Sequence, residues 1–512
     1  MAIVTPIEVP PGARRRLAIS SPVTRDPIGE IEVQNAADVR AALERARKAQ
    51  PAWAALPVEE RARFVRRALG ILVEKQDRVV EVVVRESGKP ATEARMMEVF
   101  AACDAMAYWS KRAPRLLRTE RVPLHGLLKL TKKLEIAYRP LGVVGVISPW
   151  NGPVILSLNP TVQALLAGNT VLLKPSEVTP FSGRIAADLF REAGLPEGVL
   201  ELLTGDGETG AALCEAGVDK ISFTGSVATG RRVAVACAER LIPCTLELGG
   251  KDAMIVCADA DLDAAAGGAI AGGFLNAGQF CCGTERVYVV ADVADAFIEK
   301  VVARTRALRQ EVSGEFDVGA MFWPRQLDIV ARQVDEAVAG GARVLVGGRK
   351  NPRLGGLYYE PTVVVDVRSE MALMREETFG PVLPIVRVRD VDEAIARANE
   401  TTYGLGANVW TRDSRLASEI ARRIDSGSVC VNDLTMTYGV PEAPFGGRKE
   451  SGVGHVHGRD GLRGYCHAQP LIRDRFGGRQ AATHYPYTEK RDAGMKKLIR
   501  FLFGTPLGRW LS

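Results

Sequence analysis

The order of apolar and polar positions changes character twice along the chain. From 36 to 112 apolar residues recur three and four positions apart among Glu and Arg, most plainly over 58–82, which predicts amphipathic helices lying over a sheet. Short β-branched runs follow at Val143–Ile147, 170–173, 200–203 and 220–223, most of them separated by a helix-length segment such as 179–193. A second series holds Arg286–Val290, a helix over 293–308, Arg343–Val346, 361–367, Val382–Val388 and a helix over 392–399. Nearly continuous apolar strands alternating with helices predict parallel sheets covered on both faces. Over 512 residues, two such α/β domains fit better than one. Segments 128–138 and 462–471 read as strands outside both series, and the chain changes character again after Gly477.

Composition narrows the class. The chain is 46% apolar and 25% charged with a net charge of +6, an ordinary globular balance that excludes general disorder. Without a long run of Lys or Arg, this excess gives no electrostatic footprint for nucleic acid. The nine cysteines form no C-x-x-C pair, which points to free thiols in a reducing compartment. The five histidines leave 126–454 empty, so a Cys/His metal site has few ligands and none is expected. The uncharged stretch 141–173 is broken by Pro149, Asn151, Pro153, Asn159 and Pro160, unlike a spanning helix. The first twenty residues hold no apolar run of signal-peptide length, so the expectation is a cytoplasmic protein.

Four segments carry candidate chemistry. In Leu246-Glu247-Leu248-Gly249-Gly250-Lys251 a carboxylate ends an apolar strand beside two glycines that permit a sharp turn. Held half-desolvated at a cleft, it is a candidate base; paired with Lys251, it is only a strand end. In Asn276-Ala277-Gly278-Gln279-Phe280-Cys281-Cys282 two adjacent thiols point in different directions, so one can be buried while the other faces a cleft. An isolated cysteine is otherwise an inert core residue. Ser148-Pro149-Trp150-Asn151-Gly152-Pro153 follows the first strand, where open α/β sheets bind ligands. There Asn151 can offer its amide to a developing oxyanion, or simply serve as a turn residue between prolines. The fourth group comprises Lys174-Pro175-Ser176-Glu177, able to bond vicinal ribose hydroxyls, and Phe223-Thr224-Gly225-Ser226, which opens a helix whose start can hold a pyrophosphate or be an ordinary N-cap.

Together these segments resemble the aldehyde dehydrogenase superfamily, NAD(P)-dependent, non-phosphorylating and non-acylating, from about Ser20 to about Leu471. They occur in the family's order, with a familiar gap of 281 − 247 = 34 residues between carboxylate and thiol. The resemblance implies two doubly wound α/β domains, a Rossmann-like cofactor domain and a catalytic domain, with a small β oligomerisation extension. The implied bounds are 1–120 and 140–248 for the first, 249–447 for the second, 121–139 and 448–475 for the extension, and 476–512 for an appendage. It implies Cys281 as nucleophile, Glu247 as general base and Asn151 as oxyanion-hole amide. Lys174, Ser176 and Glu177 fall at the adenosine ribose, Trp150, Gly225 and Ser226 at the phosphates, and Glu377 and Phe379 at the nicotinamide riboside. Pro444-Phe445-Gly446-Gly447 matches the C-terminal signature.

A carboxylate at the ribose repels a 2′-phosphate, so Glu177 favours NAD, with NADP as the alternative cofactor. Gly152 stands where relatives often carry a bulky aromatic and is expected to widen a substrate tunnel lined by Leu156, Phe280, Met436 and Tyr438. With no Arg next to these positions, a medium or long aliphatic or an aromatic aldehyde is expected, and a semialdehyde is the alternative. A coenzyme A-acylating enzyme would need no water-activating Glu247. The family resemblance implies a homodimer or homotetramer joined through the strand-like segments. In the appendage Thr488 caps a predicted helix with Met495, Leu498, Ile499 and Leu502 on one face and Lys496, Lys497 and Arg500 mostly away from it. Such a helix can pack on its own chain or lie on an anionic membrane with Trp510 as interfacial anchor.

Overall fold

Residues 3–10, 12–434, 436–477 and 484–511 are described by the computed structural model; of the expected appendage, 478–483 and Ser512 lie outside the described residues, as does Thr435 in the loop before Tyr438. Six strands form the first sheet in the order Gly452–Val453, Cys244–Glu247, Lys220–Thr224, Val143–Ile147, Thr170–Lys174, Leu200–Leu202. Seven form the second: Arg343–Val346, Thr362–Val365, Val382–Val388, Arg286–Val290, Ala253–Val256, Gly406–Trp410, Ser428–Val431. The central strands are parallel and buried along their whole length, as helices on both faces demand. The chain passes from one sheet to the other between Glu247 and Ala253, so the end of the first sheet's Cys244–Glu247 strand faces the second sheet's loops.

Several expectations need correction. Neither sheet is wholly parallel, because each ends on one antiparallel edge strand, Gly452–Val453 and Arg343–Val346. An edge strand is covered less than a central one, so the burial that enforces parallel crossovers is relaxed there. Gly452–Val453 pairs with Leu246 and Glu247, which puts part of 448–475 in the first sheet rather than in an oligomerisation extension. Segment 179–193 is two helices, Pro180–Gly183 and Ile185–Glu192. Segment 128–138 begins as a short helix, Leu128–Thr131, before the strand Lys132–Pro140; 462–471 likewise ends the helix Gly458–Arg463 before the strand Cys466–Asp474. Those two strands and Glu120–Val122 make a three-stranded antiparallel sheet. A further antiparallel sheet, Val4–Ile7, Arg16–Ser20 and Pro27–Glu32, gave no signal in the sequence, since its strands are short and mix Arg, Glu and Pro with the apolar residues.

The N-terminal helices Ala36–Ala55, Val58–Glu74, Gln76–Ser87 and Ala101–Leu116 form as the periodicity predicts. Asn35 starts the first with a capping box, its side chain accepting from Ala37 and Asp38 while Asp38 accepts from the Asn35 N–H. Between the last two runs the backbone widens into a π-helix, Ala94–Phe100. In the appendage Thr488 caps Glu489–Gly504, and a second short helix, Pro506–Leu511, folds back on it. Only Leu502 and Gly508 are buried in the pair. Among the described residues no helix is long and apolar enough to cross a membrane.

Candidate active site

Glu247 closes its strand at the carboxyl end of the first sheet, and the strand beside it, Lys220–Thr224, presents Ser222 and Thr224 two residues apart on one face. From the second sheet comes the loop after the helix Leu262–Phe274. There Asn276 and Ala277 take left-handed φ of 56° and 54°, and Gly278 follows at 72°. A Cβ on Gly278 would stand 2.1 Å from the Gly380 carbonyl, so the approach of these two loops admits glycine alone. This turn delivers Cys281 to a narrow cleft that Glu247 also lines.

The two thiols divide as their adjacency suggests: Cys281 is half-buried in the cleft wall and Cys282 is buried behind it. Cys282 is pushed well above the usual thiol range by its hydrogen bond to Cys281 and then by burial. The Glu247 carboxyl is raised far above the usual carboxylate range, first by complete burial and second by the charge of Cys281. Its Oε1 has no hydrogen-bond partner. The ordinary reading of this residue, a pair with Lys251, fails because Lys251 Nζ binds Glu285 at 2.6 Å and Thr378 Oγ1 at 2.9 Å. The buried His457 packs on Tyr438 with ring centroids 4.6 Å apart, and burial pushes its pKa down to about 4, leaving it uncharged at neutral pH.

Asn151 is buried, and its Nδ2 donates to the Gln279 carbonyl at 3.1 Å, two residues ahead of Cys281. One of its two N–H bonds is thereby used. Asn151 is tied to the thiol loop without lining the cleft.

Of the expected substrate residues, the wall contains Leu156 and Tyr438 but not Gly152, Phe280 or Met436. A Cβ on Gly152 would meet Leu156 Cδ1 at 3.1 Å, so Leu156 occupies the space that the missing aromatic was expected to open. Phe280 packs with Cys282, Leu405 and Phe445, and Met436 is half exposed on the short helix Met436–Gly439. The sequence reading missed Asn159, Pro160, Ser222, Thr224, Phe445 and Val456. Asn159 lies three residues after Leu156 on the helix Ile155–Leu166, a spacing that puts both on one face. Its Oδ1 accepts from Trp109 Nε1 at 2.9 Å, while its Nδ2 is buried without a partner.

The remaining candidates fit a dinucleotide. Lys174 Nζ and Glu177 stand 3.2 Å apart at the end of the strand Thr170–Lys174, and Ser176 Oγ accepts from Val178 N–H to turn the loop. Ser226 caps the helix Val227–Glu239 by accepting from Thr229 N–H. At Gly225 a Cβ would strike the Phe223 ring at 2.6 Å, which keeps the approach to that helix start bare. The Trp150 ring meets Phe379 edge-on at 5.3 Å. Glu377 accepts from Gly250 N–H at 3.0 Å, and burial raises its pKa to about 8.

Comparison with known proteins agrees with this geometry. The profile of the Aldehyde dehydrogenase family matches residues 9–470. The 4,4'-diapolycopene aldehyde oxidase of a Methylomonas species is 38% identical over 489 residues, covering 95% of this chain and 91% of its own. A Mycolicibacterium smegmatis protein provisionally named succinate-semialdehyde dehydrogenase (NADP+) is 41% identical over 467 residues, covering 90% of each chain. The crystal structure of a Mycobacterium tuberculosis aldehyde dehydrogenase complexed with NAD+ superposes with a TM-score of 0.86 at 34% identity, covering 91% of this chain and 96% of that one. With a thiol and a buried carboxylate facing one cleft between two α/β sheets, and likeness along nearly its whole length, the chain belongs to the aldehyde dehydrogenase family, oxidoreductases that act on aldehydes.

Proposed function

We propose that this chain oxidises a neutral aldehyde to its carboxylic acid, with Cys281 as nucleophile, Glu247 as general base and Asn151 as oxyanion donor. The observation that carries this reading is the Glu247 carboxyl, buried, partnerless at Oε1 and electrostatically coupled to Cys281 across the cleft. The Cys281 thiolate adds to the aldehyde carbon, and the oxyanion that forms is held by an Asn151 side-chain N–H and the Cys281 backbone N–H. A bound NAD would supply the hydride acceptor through which this adduct becomes a thioester on Cys281. Glu247 then takes a proton from water, which attacks the thioester and frees the acid. The dinucleotide would be held by Lys174, Ser176 and Glu177 at the adenosine ribose, by Trp150, Gly225 and Ser226 at the phosphates, and by Glu377 and Phe379 beside the nicotinamide. The Glu177 carboxylate favours NAD over NADP.

The wall supports a reading of the substrate class. Among the described residues its apolar part is Leu156, Pro160, Leu248, Tyr438, Phe445 and Val456, beside the uncharged polar Asn159, Ser222 and Thr224, and it holds no Lys or Arg. Apolar walls without a cation suit a medium or long aliphatic, or an aromatic, aldehyde. The M. smegmatis relative's name supports a second reading, a semialdehyde acid. Kinetics with propanal, dodecanal, benzaldehyde and succinic semialdehyde separate the two: a kcat/KM highest for succinic semialdehyde would reject the first reading.

Assembly and location are part of the same proposal. The three-stranded sheet built on Lys132–Pro140 exposes Ile472, and the short helix Leu128–Thr131 that leads into it exposes Leu128 and Leu130, apolar positions suited to a partner subunit in a homodimer or homotetramer. The helix Glu489–Gly504 exposes Met495, Leu498, Ile499, Phe501 and Phe503, with Lys496, Lys497 and Arg500 among them and Trp510 beyond. This pattern fits peripheral contact with an anionic membrane, near the supply of an apolar aldehyde.

A further inference from the structure

Against the Asn151 backbone lies a buried ion pair that the reaction above does not use. Lys89 and Glu98 are both wholly buried, with Nζ and Oε1 2.8 Å apart. Glu98 stands in the π-helix Ala94–Phe100, a rare geometry that recurs at functional sites. Its second oxygen accepts from the N–H groups of Val154 at 3.0 Å and Ile155 at 3.2 Å, where the helix carrying Leu156 and Asn159 begins. Lys89 Nζ donates a further hydrogen bond to the Asn151 backbone carbonyl at 3.2 Å.

The same carbonyl ties Asn151 to the thiol loop. Asn276 Nδ2 donates to it at 3.0 Å and to the Gln279 carbonyl at 2.9 Å, and the Asn276 N–H is itself held by Glu93 at 3.1 Å. Asn276 and Ala277 sit in the left-handed region without being glycine, so their turn persists only where surrounding bonds hold it. A buried ion pair is a weak means of stabilising a fold, since apolar residues of similar volume do as well or better. What Lys89 and Glu98 supply that apolar residues cannot is direction: a donor aimed at the Asn151 peptide and an acceptor at the start of the next helix.

We infer that Lys89 and Glu98 are positioning residues for the oxidation, fixing the Asn151 peptide against the Cys281 loop so that its side-chain amide meets the oxyanion. The inference rests on the reading of Asn151 given above. Its test compares full-length Lys89→Met, Glu98→Gln, Lys89→Met/Glu98→Gln and Asn151→Ala, with rates expressed per folded protein. The double substitution removes both charges of the pair at once. Glu98→Gln keeps an acceptor for Val154 and Ile155, and carries the test where Lys89→Met does not fold.

The expected result is a fall in kcat of about 10- to 100-fold, the scale of a roughly 1 Å misplacement, with KM for the aldehyde moving less than about threefold. In an Asn151→Ala background the added Lys89→Met/Glu98→Gln substitutions should lower kcat by less than about twofold, because both act through one amide. A full repeat of the loss in that background would assign the pair a separate, structural effect and overturn the proposal. A wild-type kcat in the folded double variant, with Asn151→Ala still impaired, would overturn it too. A wild-type rate for Asn151→Ala would instead reject the oxyanion reading on which the proposal stands.

Discussion

At the scale of single residues, Glu247 and Cys281 differ in what the fold does to them. The thiol keeps a place in the cleft wall, while the carboxyl is stripped of water and left with an unpartnered oxygen. Glu247 must be ionised to take a proton from water, and burial first, then the Cys281 charge, raises its pKa. Below that raised value it is protonated and idle, so kcat should climb with pH as Glu247 ionises, and steady-state rates across pH will reveal the limb. Glu247→Gln should give a burst of NADH of about one equivalent and then stall. A linear time course at the wild-type rate would reject Glu247 as the base. Cys281→Ser should lower turnover by at least about 10³-fold, and near-normal turnover would remove the thiol from the scheme. At the ribose end, Glu177→Gln should raise the ratio of kcat/KM with NADP to that with NAD by about tenfold, the order expected on removing one like-charge contact from a partly solvated site.

Among the elements, the C-terminal helix pair is the one whose surface is least accounted for by its own chain. Its basic side chains surround exposed Met495, Leu498, Ile499 and Trp510. Each Lys or Arg near an anionic bilayer contributes about 1 kcal/mol. A chain ending at Gly477 should therefore lose co-sedimentation with vesicles rich in phosphatidylserine while keeping its kcat on propanal. Equal co-sedimentation of the two chains would remove the membrane role. The outer strand Gly452–Val453 bears on the candidate site in another way. It pairs with Leu246 and Glu247, and Leu248 N–H donates to the Ser451 carbonyl at 3.0 Å, so a segment two hundred residues downstream braces the candidate base.

For the whole molecule, the exposed apolar positions of the three-stranded sheet and of the short helix leading into it predict a dimer or tetramer in solution by light scattering. Ile472→Glu, which puts a charge on that face, should shift the mass downward, and a monomeric mass for the wild type would reject the interface. The two α/β sheets were legible because a strand buried on both faces must be written as a β-branched run, as in Val143–Ile147 and Arg286–Val290, and because each run is followed by a helix-length segment. The candidate thiol, carboxylate and amide were legible as well, since each stands in a short motif beside glycines or prolines that shape its loop. Edge strands, the N-terminal sheet and the true wall of the cleft were not. Edge pairing is decided by which segment arrives from afar, and Gly452–Val453 carries no local mark of its partner Leu246. Gly152 read alone promises space, yet Leu156 fills it, and Met436 read alone promises a wall, yet half of it faces solvent. Sequence by itself determined the class of fold and pointed to the candidate reacting groups, because periodicity and short motifs are local. The choice of Glu285 as the partner of Lys251, the isolation of Glu247 and the Lys89–Glu98 pair against Asn151 were settled only by tertiary structure. Each depends on contacts between segments distant in the chain, where burial selects which charge is paired and which is left to react.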